Sequence, residues 1–136
     1  MSTTNTTGLV NFSKVKYNSK KEELIAFVAN SPYIDKENQP EVCKRFGFKY
    51  APSIFRDEYR KRVKQFLRNR ITTAATVSKF TLIPHKYITQ VKSRLEKANE
   101  LVVVKLDRCE TTQTSNVQYL STDPEIVKSV NSQRIQ

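Results

Sequence analysis

Apolar positions along the chain change period several times, and each change predicts an element. Leu24, Ile25, Phe27 and Val28 predict a short helix from Lys20 to Asn30, with Ser19 as its N-cap and Glu22 three residues on. Ser31-Pro32 ends it, because the residue before a proline is pushed out of the helical region. Tyr33 to Gln39 is a polar connection. Pro40 suits the first turn of a second short helix, running through Val42, Cys43 and Phe46 and closed by Gly47. After a turn at Phe48 to Ala51, the apolar residues Phe55, Tyr59, Val63, Phe66 and Leu67 recur at helical spacing and predict the longest helix, Pro52 to Arg70.

Ile71-Thr72-Thr73 follows, a short strand or capping segment in which a threonine can cap the next helix. Ala74 to Asn99 then reads as two helical segments broken by Leu82-Ile83-Pro84. Val77 and Phe80 supply the apolar side of the first, and Ile83 plugs the turn from below. In the second, Ile88, Val91 and Leu95 share a narrow arc at about 100° per residue, with Lys86, Thr89, Gln90, Ser93 and Lys97 opposite. Leu101 to Leu106 (LVVVKL) is β-branched and reads as a strand. Asp107 to Asn116 is a polar loop, and Val117 to Ser121 alternates like a returning strand. Thr122-Asp123-Pro124 closes the hairpin. The tail from Glu125 is weakly amphipathic through Ile126, Val127 and Val130 and then frays. The chain thus divides into a flexible basic arm (1–19), in which Leu9, Val10, Phe12, Val15 and Tyr17 could dock part of the segment, an N-terminal helical lobe (20–51), a main domain (52–123) and a tail (124–136).

Charge narrows the class of partner. The 136 residues carry 24 Lys and Arg against 13 Asp and Glu, a formal +11. Such a surplus favours a polyanion, nucleic acid before an anionic membrane surface. On the long helix Arg56, Arg60, Lys61, Arg62, Lys64, Arg68 and Arg70 have only Asp57 and Glu58 as local partners. No run approaches the roughly 18 apolar residues of a membrane span. The opening MSTTNTTG has no basic region followed by an apolar one, so an intracellular location is expected. Cys43 and Cys109 are isolated thiols that read as small core residues, and with His85 as the only histidine they supply too few ligands for zinc. With two glycines there is no phosphate-cradling loop, and no local Ser-His-Asp or Cys-His set or carboxylate cluster. No cofactor, metal or small-molecule ligand is expected, and catalysis is not.

The order of long helix, short strand or cap, helix, turn, helix and β-hairpin from Pro52 to Asp123 resembles the winged helix-turn-helix family. Ala75, Val77 and Phe80, then Leu82-Ile83-Pro84, then Ile88, Val91 and Leu95, and a hairpin tip at Thr111 to Asn116 carry the resemblance. The turn departs from the commonest form, which carries glycine, by having Leu82. The hairpin loop and its closing TDP also resemble small phage- and plasmid-encoded or bacterial regulators. The fold class implied is mostly α with a small β-hairpin (α+β), a winged helix-turn-helix preceded by additional N-terminal helices.

The resemblance implies double-stranded DNA as partner, with helix 84–99 in the major groove and the hairpin 101–121 as a wing. Lys86, Thr89, Gln90 and Ser93 become the base-reading candidates, with His85 near the helix start. Gln pairs bidentately with adenine, Lys donates to guanine, and Thr or Ser reaches bases or phosphates. Lys79, Lys97, Lys105 and Arg108 become phosphate contacts. The role implied is transcriptional regulation or control of a mobile element in the cytoplasm or nucleoid of a bacterium, or in a phage host cell. Two alternatives stand beside it. The scaffold could instead dock an acidic protein, as in a replication or virion assembly, since a fold does not fix a function. The shared Val-(Cys/Ser)-Lys of Val42-Cys43-Lys44 and Val77-Ser78-Lys79 also admits a second, degenerate helix-turn-helix over 20–70. Otherwise the N-terminal helices brace the domain or form a homodimer surface.

Overall fold

The computed structural model describes residues 20–135; the arm 1–19 and the expected cap Ser19 lie outside them. Among the described residues there are six helices and one two-stranded antiparallel hairpin, a mostly helical α+β arrangement. The chain divides into two compact units, Met1–Glu58 and Tyr59–Gln136, with the boundary inside the longest helix.

The first unit contains α1 (Lys20–Ala29), α2 (Gln39–Arg45) and the start of α3 (Pro52–Asn69). Leu24 and Val28, one turn apart, are the buried residues of α1. Ile25 and Phe27, expected beside them, are instead 43% and 37% exposed. At about 100° per residue they flank the Leu24–Val28 ridge on either side, outside a contact one ridge wide. Phe27 meets the Phe46 ring at 5.5 Å and lies under the Arg45 guanidinium. The second helix closes as its sequence suggests. Gly47 sits at φ +78°, its N–H bonds to the Lys44 carbonyl, and the Phe48 N–H reaches back to Cys43, so two terminal carbonyls are satisfied. The buried Gln39 is satisfied on both ends: its amide nitrogen donates to the Ile34 carbonyl and its oxygen accepts from the Tyr50 hydroxyl.

The second unit continues α3 and adds α4 (Ala74–Thr81), α5 (His85–Lys97), β1 (Val102–Asp107), β2 (Val117–Ser121) and α6 (Pro124–Ile135). Tyr59, Val63, Leu67, Val77, Ile83, Ile88, Val91, Leu95, Val102 and Leu120 are buried here. The strands pair from Val102↔Ser121 to Asp107↔Val117, with a bulge between Val103 and Lys105. A third segment joins the hairpin: Thr72, between α3 and α4, exchanges both backbone hydrogen bonds with Leu120.

Local chemistry sets the ends of these helices. Thr73 is extended at φ −94°, ψ 161°, and its hydroxyl accepts the Thr76 N–H, a cap that contributes about 1 kcal/mol. At the other end of α4, Leu82 takes the left-handed conformation (φ 66°) and its N–H bonds to the Ser78 carbonyl. Ile83 fills the space beneath the turn as expected. Asn99 (φ 59°) closes α5, with the Asn99 and Glu100 N–H groups returning to Glu96 and Leu95.

Two further expectations are corrected. Phe80 is 57% exposed, because the inward side of α4 is made by Thr76 and Val77. The tail does not fray beyond Val130: Pro124 opens α6, a 12-residue helix that runs to Ile135. The Asp123 carboxylate accepts the Glu125 N–H, and proline at the first position lacks a donor that would otherwise be orphaned.

Candidate nucleic-acid interface

Helix α5 presents two chemically opposite sides. Ile88, Val91 and Leu95 are buried, whereas Lys86, Thr89, Gln90, Ser93 and Lys97 are exposed and share the opposite arc. All four base-reading candidates therefore lie on one accessible face. Arg94, which periodicity places at its margin one turn beyond Gln90, joins it. The only acidic residue of the helix, Glu96, is taken up by Lys92 at 3.0 Å. Among the described residues, Lys86, Arg94 and Lys97 have no ion-pair partner. The Thr89 hydroxyl donates to the Lys86 carbonyl at 2.8 Å and must rotate to face outward.

The charge surplus is concentrated in the same unit. Fifteen of the 24 basic and six of the 13 acidic side chains lie in Tyr59–Gln136, leaving nine of the eleven surplus charges there.

Beside α5 the hairpin loop is clasped to the start of α4. Cys109 and Thr114 close the loop through a 2.7 Å backbone bond, and Gln113 and Asn116 adopt positive φ. The Tyr119 hydroxyl donates to the Arg108 carbonyl and accepts the Glu110 N–H. The buried Cys109 Sγ lies 3.1 Å from the Thr73 hydroxyl, and Thr76 and Thr111 hydroxyls meet at 2.7 Å. Burial opposes ionisation of the Cys109 thiol. Hydrogen bonds from Thr112, Thr73 and the backbone outweigh that and hold it at about 7, below its ordinary 9.0.

Glu110 ties the loop to the chain between α3 and α4. One carboxylate oxygen accepts from Thr72 at 2.6 Å and the other pairs with Arg70 at 2.5 Å. The Thr72 hydroxyl holds the carboxyl below its usual value; burial opposes this, and Arg70 adds to it. Because the folded pKa is depressed, this stabilisation is complete above the ordinary glutamate value of 4.5 and is lost as pH falls through the folded value. Glu110→Gln should therefore lower stability at neutral pH, and the gap to the native chain should narrow as pH falls below the ordinary glutamate value of 4.5 and through the folded one. Denaturant titrations at neutral pH and through the acid range check this; a gap that widens in acid would contradict the assignment.

A groove of about 640 Å³ lies between α5, the first turn of α4 and the hairpin. Ala75, His85, Thr89, Lys92, Thr112 and Asn116 are among its lining residues. It brings Thr89 and the helix-start residue His85 opposite the hairpin. Lys86, Gln90 and Ser93 do not line it and stand on the adjoining ridge. The phosphate candidates are dispersed. Lys97 is exposed near the end of α5. Lys105 pairs with Asp107 at 3.4 Å and covers the Tyr119 ring, and Arg108 donates to the Gln113 carbonyl. The Arg108 N–H, and after it Lys105, hold the exposed Asp107 carboxyl below its usual value. Lys79 lies more than one turn along α4 from the groove, with its amine over Phe80. Sequence reading missed Lys92, Thr112 and Asn116. Lys92 was detectable, since it follows Thr89 by three on a helix; the loop residues carried no periodic signal.

No family model, curated protein or solved structure matches the chain. Among the described residues, no group of three or more His, Cys, Asp or Glu side chains is placed to hold a metal ion. No described helix is long and apolar enough to cross a membrane.

Proposed function

We propose that the chain is a duplex-DNA-binding protein of winged helix-turn-helix type, acting in transcriptional regulation or in control of a mobile element. The observation that carries this reading is the exposed face of α5, where Lys86, Gln90, Ser93, Arg94 and Lys97 stand and where, among the described residues, no acidic side chain pairs with Lys86, Arg94 or Lys97. A 13-residue helix is about 20 Å long and about 10–12 Å across, which suits a major groove about 12 Å wide. The order of elements supports the finer fold reading. The Thr72–Leu120 bridge joins the segment between α3 and α4 to the hairpin that follows α5 through a single residue pair. The hairpin is then the wing, and the groove beside α5 accommodates a sugar–phosphate strand against Thr, Asn and Lys donors.

Base reading and phosphate binding separate experimentally. Selection of bound duplexes from a random pool should enrich a motif, and Gln90→Ala should lose discrimination at one base pair, about 1–3 kcal/mol. Lys97→Ala should weaken all duplexes alike. Equal losses on every duplex from both changes would refute these roles.

A further inference from the structure

The second unit displays apolar surface that the DNA reading does not use. Phe80 stacks on Phe66 at 6.0 Å with ring planes 21° apart, yet remains 57% exposed. Two residues on, Leu82 is 65% exposed and occupies a left-handed position that glycine would fill without steric cost. Strain at this turn is thus spent on presenting a leucine that buries little. Cations flank the Phe80 ring: the Arg70 guanidinium lies 5.4 Å and the Lys79 amine 5.6 Å from its centroid. Glu110 pairs with Arg70, whereas Lys79 has no ion-pair partner among the described residues.

We propose that Phe66, Phe80 and Leu82, flanked by Arg70 and Lys79, dock an acidic peptide segment of a partner protein that inserts an apolar anchor. Charge complementarity selects this occupant. Carboxylates pair with Lys79 and with the outer side of Arg70, while an apolar side chain covers the Phe80 edge and the Leu82 isobutyl group. A nucleobase fits less well, because the Phe80 ring already meets Phe66, Arg70 and Lys79. A second copy of the chain would oppose like charge with like. Residues 1–19 contain Lys14 and Lys16 and no acidic residue. This surface includes no residue of the α5 face and shares only Lys79 with the proposed phosphate contacts, so Phe80 and Leu82 test it apart from the DNA reading.

The test uses the full chain and a fluorescent amphipathic peptide with glutamates on its polar side and Leu and Phe at i, i+3, i+4 and i+7. The expected result is saturable binding, weakened at least about tenfold by Phe80→Ala and by Leu82→Gly. A peptide with lysine in place of glutamate should not bind. Leu82→Gly relieves the turn and keeps the fold, and its affinity for duplex should stay within about twofold of the native chain. Absence of saturable binding would overturn the proposal, as would equal affinity of the Leu82→Gly variant or of a peptide lacking its Leu and Phe. Self-association of the chain that Leu82→Gly disperses would assign the surface to a second copy instead. Duplex binding, measured in parallel, reports separately on the DNA reading.

Discussion

Ile88→Ala is expected to lower folding stability by about 2–5 kcal/mol. Ile88 is fully buried on α5, within the arc it shares with Val91 and Leu95. Truncation removes apolar surface and leaves a cavity whose walls include a helix pinned at both ends. Pro84 fixes the entry, where the Tyr87 and Ile88 N–H groups bond to its carbonyl, and Asn99 closes the exit. Such walls collapse little, so the cost belongs in the upper part of the range. Ser93→Ala, on the opposite side, should change stability by no more than about 0.5 kcal/mol. Denaturant titration distinguishes the two, and a loss below about 1 kcal/mol for Ile88→Ala would mean that the buried arc does not anchor the helix.

The second large effect is electrostatic. Each phosphate neutralised contributes about −0.9 to the slope of log K against log salt. With Lys79, Lys97, Lys105 and Arg108 engaged, the slope on duplex DNA should be roughly −3.6, so affinity should fall on the order of a hundredfold between about 50 and 200 mM salt. Lys105 and Arg108 must exchange their contacts with Asp107 and the Gln113 carbonyl for phosphate. Both are surface interactions worth little, so the exchange is easy. Replacing any one of the four by alanine should reduce the slope by about one. A slope near zero would show that phosphate neutralisation does not drive association.

The sequence carried most of what depends on periodicity and on local chemistry. The break at Leu82-Ile83-Pro84, the Thr73 cap and both hairpin strands follow from residue type and spacing, and the structure has them within a residue or two. The arc of Ile88, Val91 and Leu95 located the exposed face by exclusion, because burial of one side leaves the other outside. What was missed depends on neighbours distant in sequence. Phe80 has the correct spacing for a core residue, but spacing does not reveal whether another element covers it. Thr72 pairs with Leu120 over a single bridge, too short to alternate. The clasp of Cys109 on Thr73 joins residues 36 apart, and nothing local marks it. The last helix was recoverable: Asp123-Pro124-Glu125 is a helix-start sequence, read instead as the closure of a hairpin.

The proposed placement of duplex DNA is across the exposed face of α5 and the hairpin beside it. Backbone amide shifts of the isotope-labelled chain, followed as a short duplex is titrated in at low salt, test it directly. The largest shifts are expected at Lys86, Thr89, Gln90, Ser93 and Lys97 and in the loop around Thr112 to Asn116, with little change along α6. Shifts confined to residues 20–58 or to α6, or none at saturating duplex, would contradict it.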